Sequence, residues 1–252
     1  STDTAIAYST CYVQCGDNME LLKSQPNESV DLIYSDILYG TGRNFGDYQD
    51  LKPIRSEIEA HYLPRLKEMH RVLKSTGSIY LQMDTRINHW IRCIMDDVFG
   101  YERFLNEIIW GYRIQGVSKS KYPSKHDHIL YYSKTDKRTY KPEKERIYYE
   151  KQFFDVKTDE NGRFYSDVYV RDIWDCDITK PLISGSKEYL KYKTQKPKAL
   201  IERIIKASSN EGDTVADYYL GSGTTCEVAL ELGRKFIGCD INPKAIKITK
   251  AR

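Results

Sequence analysis

The chain has 252 residues with a formal net charge of +3, is 30% charged and 40% hydrophobic, and contains no apolar run long enough to cross a membrane. That length suits one large α/β domain or two small ones, able to bury about three quarters of the unfolded surface. The opening STDTAIAYSTCYV lacks the basic, apolar and small-residue order of a signal peptide, which predicts a soluble, non-exported, cytoplasmic protein.

Six cysteines (Cys11, Cys15, Cys93, Cys176, Cys226 and Cys239) are scattered without a C-x-x-C pair, and several lie in apolar runs. Reduced core thiols are expected, with neither disulfides nor a metal site.

The segment CYVQCGDNMELLKSQPNESVDLIYSD reads as strand, turn, short helix, turn, strand, which is a βαβ unit. Its second strand ends in SDILYG, with an acid and a tyrosine three residues apart, followed by the Gly-rich, aromatic TGRNFGDY. From Glu57 to Leu73, apolar Ile58, Tyr62, Leu66, Met69 and Leu73 recur at helical spacing, and STGSIYLQMD follows as turn and strand. Asn88 to Phe99 reads as a helix, and NEIIWGY and HDHILYYSK read as strands.

Tyr112 to Lys151 holds eleven Lys/Arg against five Asp/Glu, with seven tyrosines interleaved. Basic groups neutralise phosphates and aromatic faces stack on bases, so the mixture suits a nucleic-acid groove. A solvated surface with tyrosines lying over a core is the competing explanation. From about Lys134 to Tyr192 the chain is polar, Lys- and Tyr-rich and periodic only in pieces, which predicts loops and small strands inserted in the main sheet.

Regularity returns with a helix beginning near Pro197, whose buried face is Leu200, Ile201, Ile204, Ile205 and Ala207. EGDTVADYY reads as turn and strand, GSGTT as a Gly-rich loop, CEVALELG as a helix ended by Gly233, KFIGCD as a strand and NPKAIKITKAR as a last helix. Strands alternating with helices predict an α/β fold: a single doubly wound, mainly parallel sheet. In DYYLGSGTT, glycines let the backbone approach a ligand and helix-start amides favour a negative group. Asp240 ends the next strand, where an acid accepts from ribose hydroxyls in dinucleotide folds, although it could instead cap the following helix.

These residues carry a resemblance. DYYLGSGTT resembles the D-P-F-x-G-S-G-T-T motif of S-adenosylmethionine-dependent DNA amino methyltransferases, and SDILYG resembles their D-P-P-Y motif with both prolines replaced. CGD, SDILYG, HDHILYYSK, TQKP, and DYYLGSGTT with FIGCD follow the order of the family's permuted β class, covering most of the chain outside Lys134 to Tyr192.

The resemblance implies a circularly permuted class I Rossmann-like methyltransferase in three parts. Residues 1–133 would form the catalytic part, 134–192 a target-recognition insert and 193–252 the cofactor-binding part. It implies S-adenosylmethionine as cofactor, duplex DNA as substrate, a homodimer, and a cognate restriction endonuclease in a bacterial restriction-modification system.

Residue by residue, the resemblance implies that Asp217 and the amides of Leu220, Gly221, Ser222, Gly223 and Thr224 hold the cofactor's amino-acid end. Asp240 would hold its ribose and Asp17 its adenine, although Asp17 also reads as a turn former. Lys196 and Pro197 match a Lys-Pro beside the cofactor, or else only start a helix. Permutation should bring Asp17 beside Asp240.

In the family the motif's acid and the next carbonyl, here Asp36 and Ile37, polarise an exocyclic amino group, and Tyr39 would stack on the flipped base. An acid at this position favours adenine N6 over cytosine N4. A non-catalytic partner subunit and an RNA methyltransferase of the same fold are the other readings. Loss of the two prolines predicts a looser or redirected loop.

Overall fold

A computed structural model describes residues 5–7, 10–37, 52–113, 116–175 and 196–240. The strands are β1 (Ala5–Ala7), β2 (Cys11–Cys15), β3 (Val30–Asp36), β4 (Leu73–Met83), β5 (Phe104–Gly111), β6 (His126–Ser133), β7 (Lys144–Tyr149), β8 (Lys157–Thr158), β9 (Phe164–Tyr169), β10 (Ile173–Trp174), β11 (Thr214–Asp217) and β12 (Lys235–Asp240). The helices are α1 (Asn18–Ser24), α2 (Arg55–Val72), α3 (Asn88–Phe99), α4 (Lys198–Ser208) and α5 (Thr224–Glu231).

Nine strands form one sheet in the order β1-β2-β12-β11-β3-β4-β6-β5-β10. Within it β2, β12, β11, β3, β4, β5 and β10 run one way, and β1 and β6 run against them. The two C-terminal strands are thus slotted between strands from the N-terminal part, as a permuted chain requires. Cys15 pairs with Asp240, and the Gly16 amide donates to the Asp240 carbonyl at 3.1 Å, so Asp17 does lie beside Asp240.

Both faces of the sheet are covered, and strand alternation explains why. Ile33, Ile79, Leu81, Leu130, Tyr132 and Ala216 pack with the apolar stripes of α1, α2 and α3. Their neighbours Leu32, Tyr34, Tyr80, Ile129, Tyr131 and Val215 point the other way, onto α4 and α5. Strands buried on both sides read as near-continuous apolar runs, which is what VDLIY and SIYLQM are. On α2, Ile58, Tyr62, Leu66, Met69 and Val72 are buried at spacings of four and three, the period of one helix face.

Between Ser133 and Ile173 the chain makes a separate antiparallel sheet, β7-β9-β8. The expected insert is not wholly detached, because β10 adds to the main sheet by parallel pairing of Ile173 and Trp174 with Ile109 and Trp110. Two residues are too short to register as a strand in sequence. Of the thiols expected in the core, Cys226 and Cys239 are buried, but Cys93 is exposed on α3, off the stripe formed by Ile91, Ile94 and Met95. Cys176 and the expected last helix from Asn242 lie outside the described residues.

Candidate active site

Asp36, Asp217 and Asp240 are the last residues of β3, β11 and β12, three adjacent parallel strands. Open α/β sheets bind ligands beyond such carboxyl ends. A cavity there is lined by Asp36, Lys196, Asp217 and the loop residues Tyr219, Leu220, Gly221, Ser222 and Thr224.

The Gly-rich loop is shaped largely by its own bonds. Gly221 (φ 61°) and Gly223 (φ 84°) take left-handed conformations that side chains disfavour. Leu220 N donates to the Cys239 carbonyl (3.1 Å), Gly221 N to Asp240 Oδ2 (2.9 Å) and Gly223 N to the Leu220 carbonyl (3.3 Å). Three of the five amides assigned to the cofactor therefore hold the loop in shape, and one carboxylate oxygen of Asp240 does the same. Local pattern cannot separate these uses, since both need the same glycines and the same acid.

Asp217 is 2% exposed and accepts from three donors: Ser35 Oγ (3.1 Å) and Tyr219 N (3.0 Å) on Oδ1, and Thr225 Oγ1 (2.8 Å) on Oδ2. Burial pushes it up to about 7, and the three donors only partly offset that. Its geometry is that of an anchor for the loop. Tyr219 is pinned in turn by His61, whose Nε2 lies 2.9 Å from its hydroxyl. Burial, with the Arg65 guanidinium nearby, pulls His61 down to about 4, so its ring is neutral at pH 7.

Asp17 caps α1, accepting from the Met19 amide at 2.8 Å, and forms an ion pair with Arg65 at 3.2 Å. Its side chain is 47% exposed, on the rim. The structural role weighed for it is thus real, and it is not incompatible with a ligand role.

Asp36 is met by Lys196, with Nζ 2.8 Å from Oδ2, and both side chains are nearly buried. Lys196 just precedes Pro197, the N-cap of α4, and its ammonium lies 5.9 Å from the centre of the Trp110 ring. Burial draws the ammonium down, but the carboxylates of Asp36, Asp127 and Asp84 outweigh it, and the net shift is upward.

Ile37 is 2% exposed in the core, and its amide donates to the Gln82 carbonyl at 3.0 Å. A proline could make no such bond, so one fixed φ is exchanged for a hydrogen bond and a buried side chain. The missing proline after Asp217 is replaced likewise. Tyr218 N reaches Ser35 Oγ at 3.3 Å, and its hydroxyl reaches Gln25 Oε1 at 2.6 Å. At both described positions a backbone amide that proline lacks makes a hydrogen bond instead. Leu38, Tyr39 and the rest of the loop lie outside the described residues.

A polar network behind Asp36 has no counterpart among the sequence-based expectations. Tyr34 OH donates to Gln82 Oε1 (2.6 Å), Gln82 Nε2 to Asp127 Oδ2 (3.1 Å), and Tyr112 OH to Asp127 Oδ1 (3.3 Å). The available signal was a polar residue inside each apolar strand, Gln82 in SIYLQM and Asp127 in HDHILYY.

A family model described as DNA methylase matches residues 30–251. The chain belongs to the DNA methylase family. It is 34% identical over 241 residues to DNA adenine methyltransferase YhdJ of Escherichia coli, a match spanning 92% of this chain and 79% of that protein. To Type II methyltransferase M.HpaI of Haemophilus parainfluenzae it is 33% identical over 239 residues, spanning 94% and 72%.

Among solved structures, the cytosine-N4-specific PvuII DNA methyltransferase superposes with a TM-score of 0.69 at 18% identity, covering 97% of this chain and 86% of that one. The M1.HpyAVI–SAM complex gives 0.61 at 21%, covering 96% and 99%. At these identities the superpositions establish the fold: a class I methyltransferase sheet. The protein is a DNA methyltransferase that uses S-adenosylmethionine. The left-handed glycines and the strand-end carboxylates of Asp36, Asp217 and Asp240 fit a polar, charged cofactor of this kind.

Proposed function

We propose that this protein methylates the exocyclic N6 of an adenine flipped out of duplex DNA. The observation that carries this reading is that Asp36 and the Gly-rich loop line one cavity at the carboxyl ends of adjacent strands. The likeness to DNA adenine methyltransferase YhdJ and the acid at the first position of SDILYG support N6 over cytosine N4.

Bound S-adenosylmethionine would supply a methyl group already activated on sulfonium. The amino nitrogen is a poor nucleophile because its lone pair is delocalised into the ring. Asp36 and the Ile37 carbonyl would accept its two hydrogens, drawing the nitrogen towards a tetrahedral shape. Held so by Asp36 and the Ile37 carbonyl, the nitrogen would present its freed lone pair to that methyl group. The extra proton on nitrogen leaves to Asp36 or to solvent. Orientation supplies up to about 7–11 kcal/mol in ideal cases, and the carboxylate stabilises positive charge developing on nitrogen.

Flipping costs a few kcal/mol, and stacking on Tyr39 would return about 1–3 kcal/mol. Asp17 and Asp240 would face the adenine and ribose of the cofactor, with Leu220 to Thr224 and Asp217 around its amino-acid end. In this reading 1–133 carries catalysis, 134–192 reads the target and 193–252 binds the cofactor. Homodimerisation, a cognate restriction endonuclease and a bacterial cytoplasmic setting complete it.

Labelled S-adenosylmethionine and unmethylated duplex DNA, followed by digestion to nucleosides, test the reading. N6-methyladenine is expected, and label in N4-methylcytosine would reverse the base. Asp36→Ala should lower kcat by about two to three orders of magnitude, as loss of one preorganised polar group does, with cofactor affinity within a few-fold. An active Asp36→Ala enzyme would overturn the catalytic role.

A further inference from the structure

Three carboxylates converge behind the cavity: Asp36 from β3, Asp217 from β11 and Asp127 from β6. All are largely buried, Asp217 at 2% and Asp127 at 4% exposure. Asp36 raises the proton affinity of Asp217, as like charges in low dielectric do. An amino group's hydrogen is accepted best by a carboxylate that has kept its charge. A cation beside Asp36 therefore favours its charged form.

Lys196 sits where that choice is made. It contacts Asp36 at 2.8 Å and feels both Asp127 and Asp84, while the Trp110 ring lies 5.9 Å from it. Its backbone is held in place, since Pro197 fixes the turn into α4 immediately after it. Asp217, by contrast, is met by neutral donors from Ser35, Tyr219 and Thr225. Asp127 accepts from Gln82 and Tyr112, and its charge acts on Lys196 as well.

Resting on the catalytic reading of Asp36, we infer that Lys196 is a positioning residue for that carboxylate and not a cofactor ligand: it orients Asp36 and holds it ionised among the other two acids. Other titratable groups near the pair are Tyr34 on β3, Asp84 beyond β4, which is itself ion-paired with Arg86, Tyr219 in the loop, and Tyr112, which bonds Asp127. The tyrosines stay neutral at working pH, since burial raises all three. Lys196 is thus the cation that geometry supplies to Asp36.

The test compares wild type with Lys196→Met, which keeps an apolar stem, and Lys196→Arg, which keeps the charge. Three quantities are read: affinity for S-adenosylmethionine, the pH profile of kcat on unmethylated duplex DNA, and carboxyl NMR titration of Asp36 in aspartate-labelled protein. For Lys196→Met the expected outcome is cofactor affinity within about threefold and kcat at pH 7 lowered at least about tenfold. Its acid limb and the Asp36 titration should both move up by about one pH unit or more, as loss of a contacting cation requires. Lys196→Arg should recover most of the rate. Retained cofactor affinity also shows that the variant has folded.

Weaker cofactor binding by tenfold or more with an unmoved Asp36 titration would return Lys196 to the cofactor and overturn the inference. So would a rate loss that Arg fails to rescue at an unchanged pH profile. Wild-type protein that transfers no methyl group sinks the catalytic reading instead, and the NMR titration still decides the pairing of Lys196 with Asp36.

Discussion

Ser35 Oγ donates to Asp217 Oδ1 at 3.1 Å across 182 positions of sequence, and the same hydroxyl accepts from the Tyr218 amide at 3.3 Å. One side chain, 0% exposed, thereby ties the strand that ends in the catalytic-type motif to the strand that launches the Gly-rich loop. The two motifs are fixed relative to each other through the sheet interior.

Ser35→Ala should therefore act on both motifs. It strips Asp217 of a donor and Tyr218 N of its acceptor, and buried groups left without partners cost about 1–3 kcal/mol each. Urea unfolding should register a loss in that range, with cofactor affinity falling in parallel. Stability within about 0.5 kcal/mol of wild type, the range of an ordinary surface change, would refute the link.

Restoring the family's proline is expected to harm, not help. Ile37→Pro deletes the amide that bonds the Gln82 carbonyl and removes a side chain only 2% exposed. A loss of about 1–3 kcal/mol is expected from the orphaned carbonyl, and each kcal/mol should lower the thermal midpoint by about 2–4 °C. A variant with an unchanged midpoint and faster methylation would show that the proline was the better solution.

Asp217 predicts an unusual pH dependence. Its folded value of about 7 lies above the ordinary 3.8, so between those values the native state binds more protons than the unfolded chain. Stability from this group is present at low pH and is lost as pH rises from about 4 to 7. Urea midpoints measured across that window should lose this component in Asp217→Asn, whose slope will be more positive than that of wild type. Parallel curves for the two proteins would exclude a raised Asp217.

The small sheet presents one basic and aromatic face. Exposed Lys144, Arg146 and Tyr148 on β7 oppose Tyr169, Asp167 and Tyr165 on β9, with the Arg146 guanidinium 3.8 Å from the Tyr165 ring centre and that of Arg163 3.7 Å from Tyr148. If this face meets DNA, Lys144→Glu with Arg163→Glu should weaken binding. The slope of log affinity against log salt should fall by about 1 for each phosphate no longer neutralised. Turnover at saturating DNA should hold. Unchanged salt dependence would leave these residues as surface stabilisers of the sheet.

His61 gives the converse pH case. Held at about 4 when folded, below its ordinary 6.5, it contributes stability above pH 6.5 that is lost as pH falls towards 4. In His61→Gln, denaturation across that interval should be less steep in pH. An identical acid limb would show that the ring is already protonated in the native state.

Alternating apolar periods and turn residues were enough to read the doubly wound sheet and the three strand-end acids, because those features arise from local spacing; its permutation was implied by the resemblance of the motif order to the β class. The βαβ units and the boundaries of α3 could be read for the same reason. β10, the use of loop amides within the loop, and the Tyr34–Gln82–Asp127–Tyr112 network could not, since each depends on partners distant in sequence. Lys196 is the clearest instance. Its place before Pro197 reads as a cofactor-side lysine or a helix start, and only packing of α4 against the sheet brings its ammonium to Asp36. Sequence determined which acids end the strands. Tertiary structure decided which of them face one another, because buried charges are governed by distance and desolvation, and neither is written in local order.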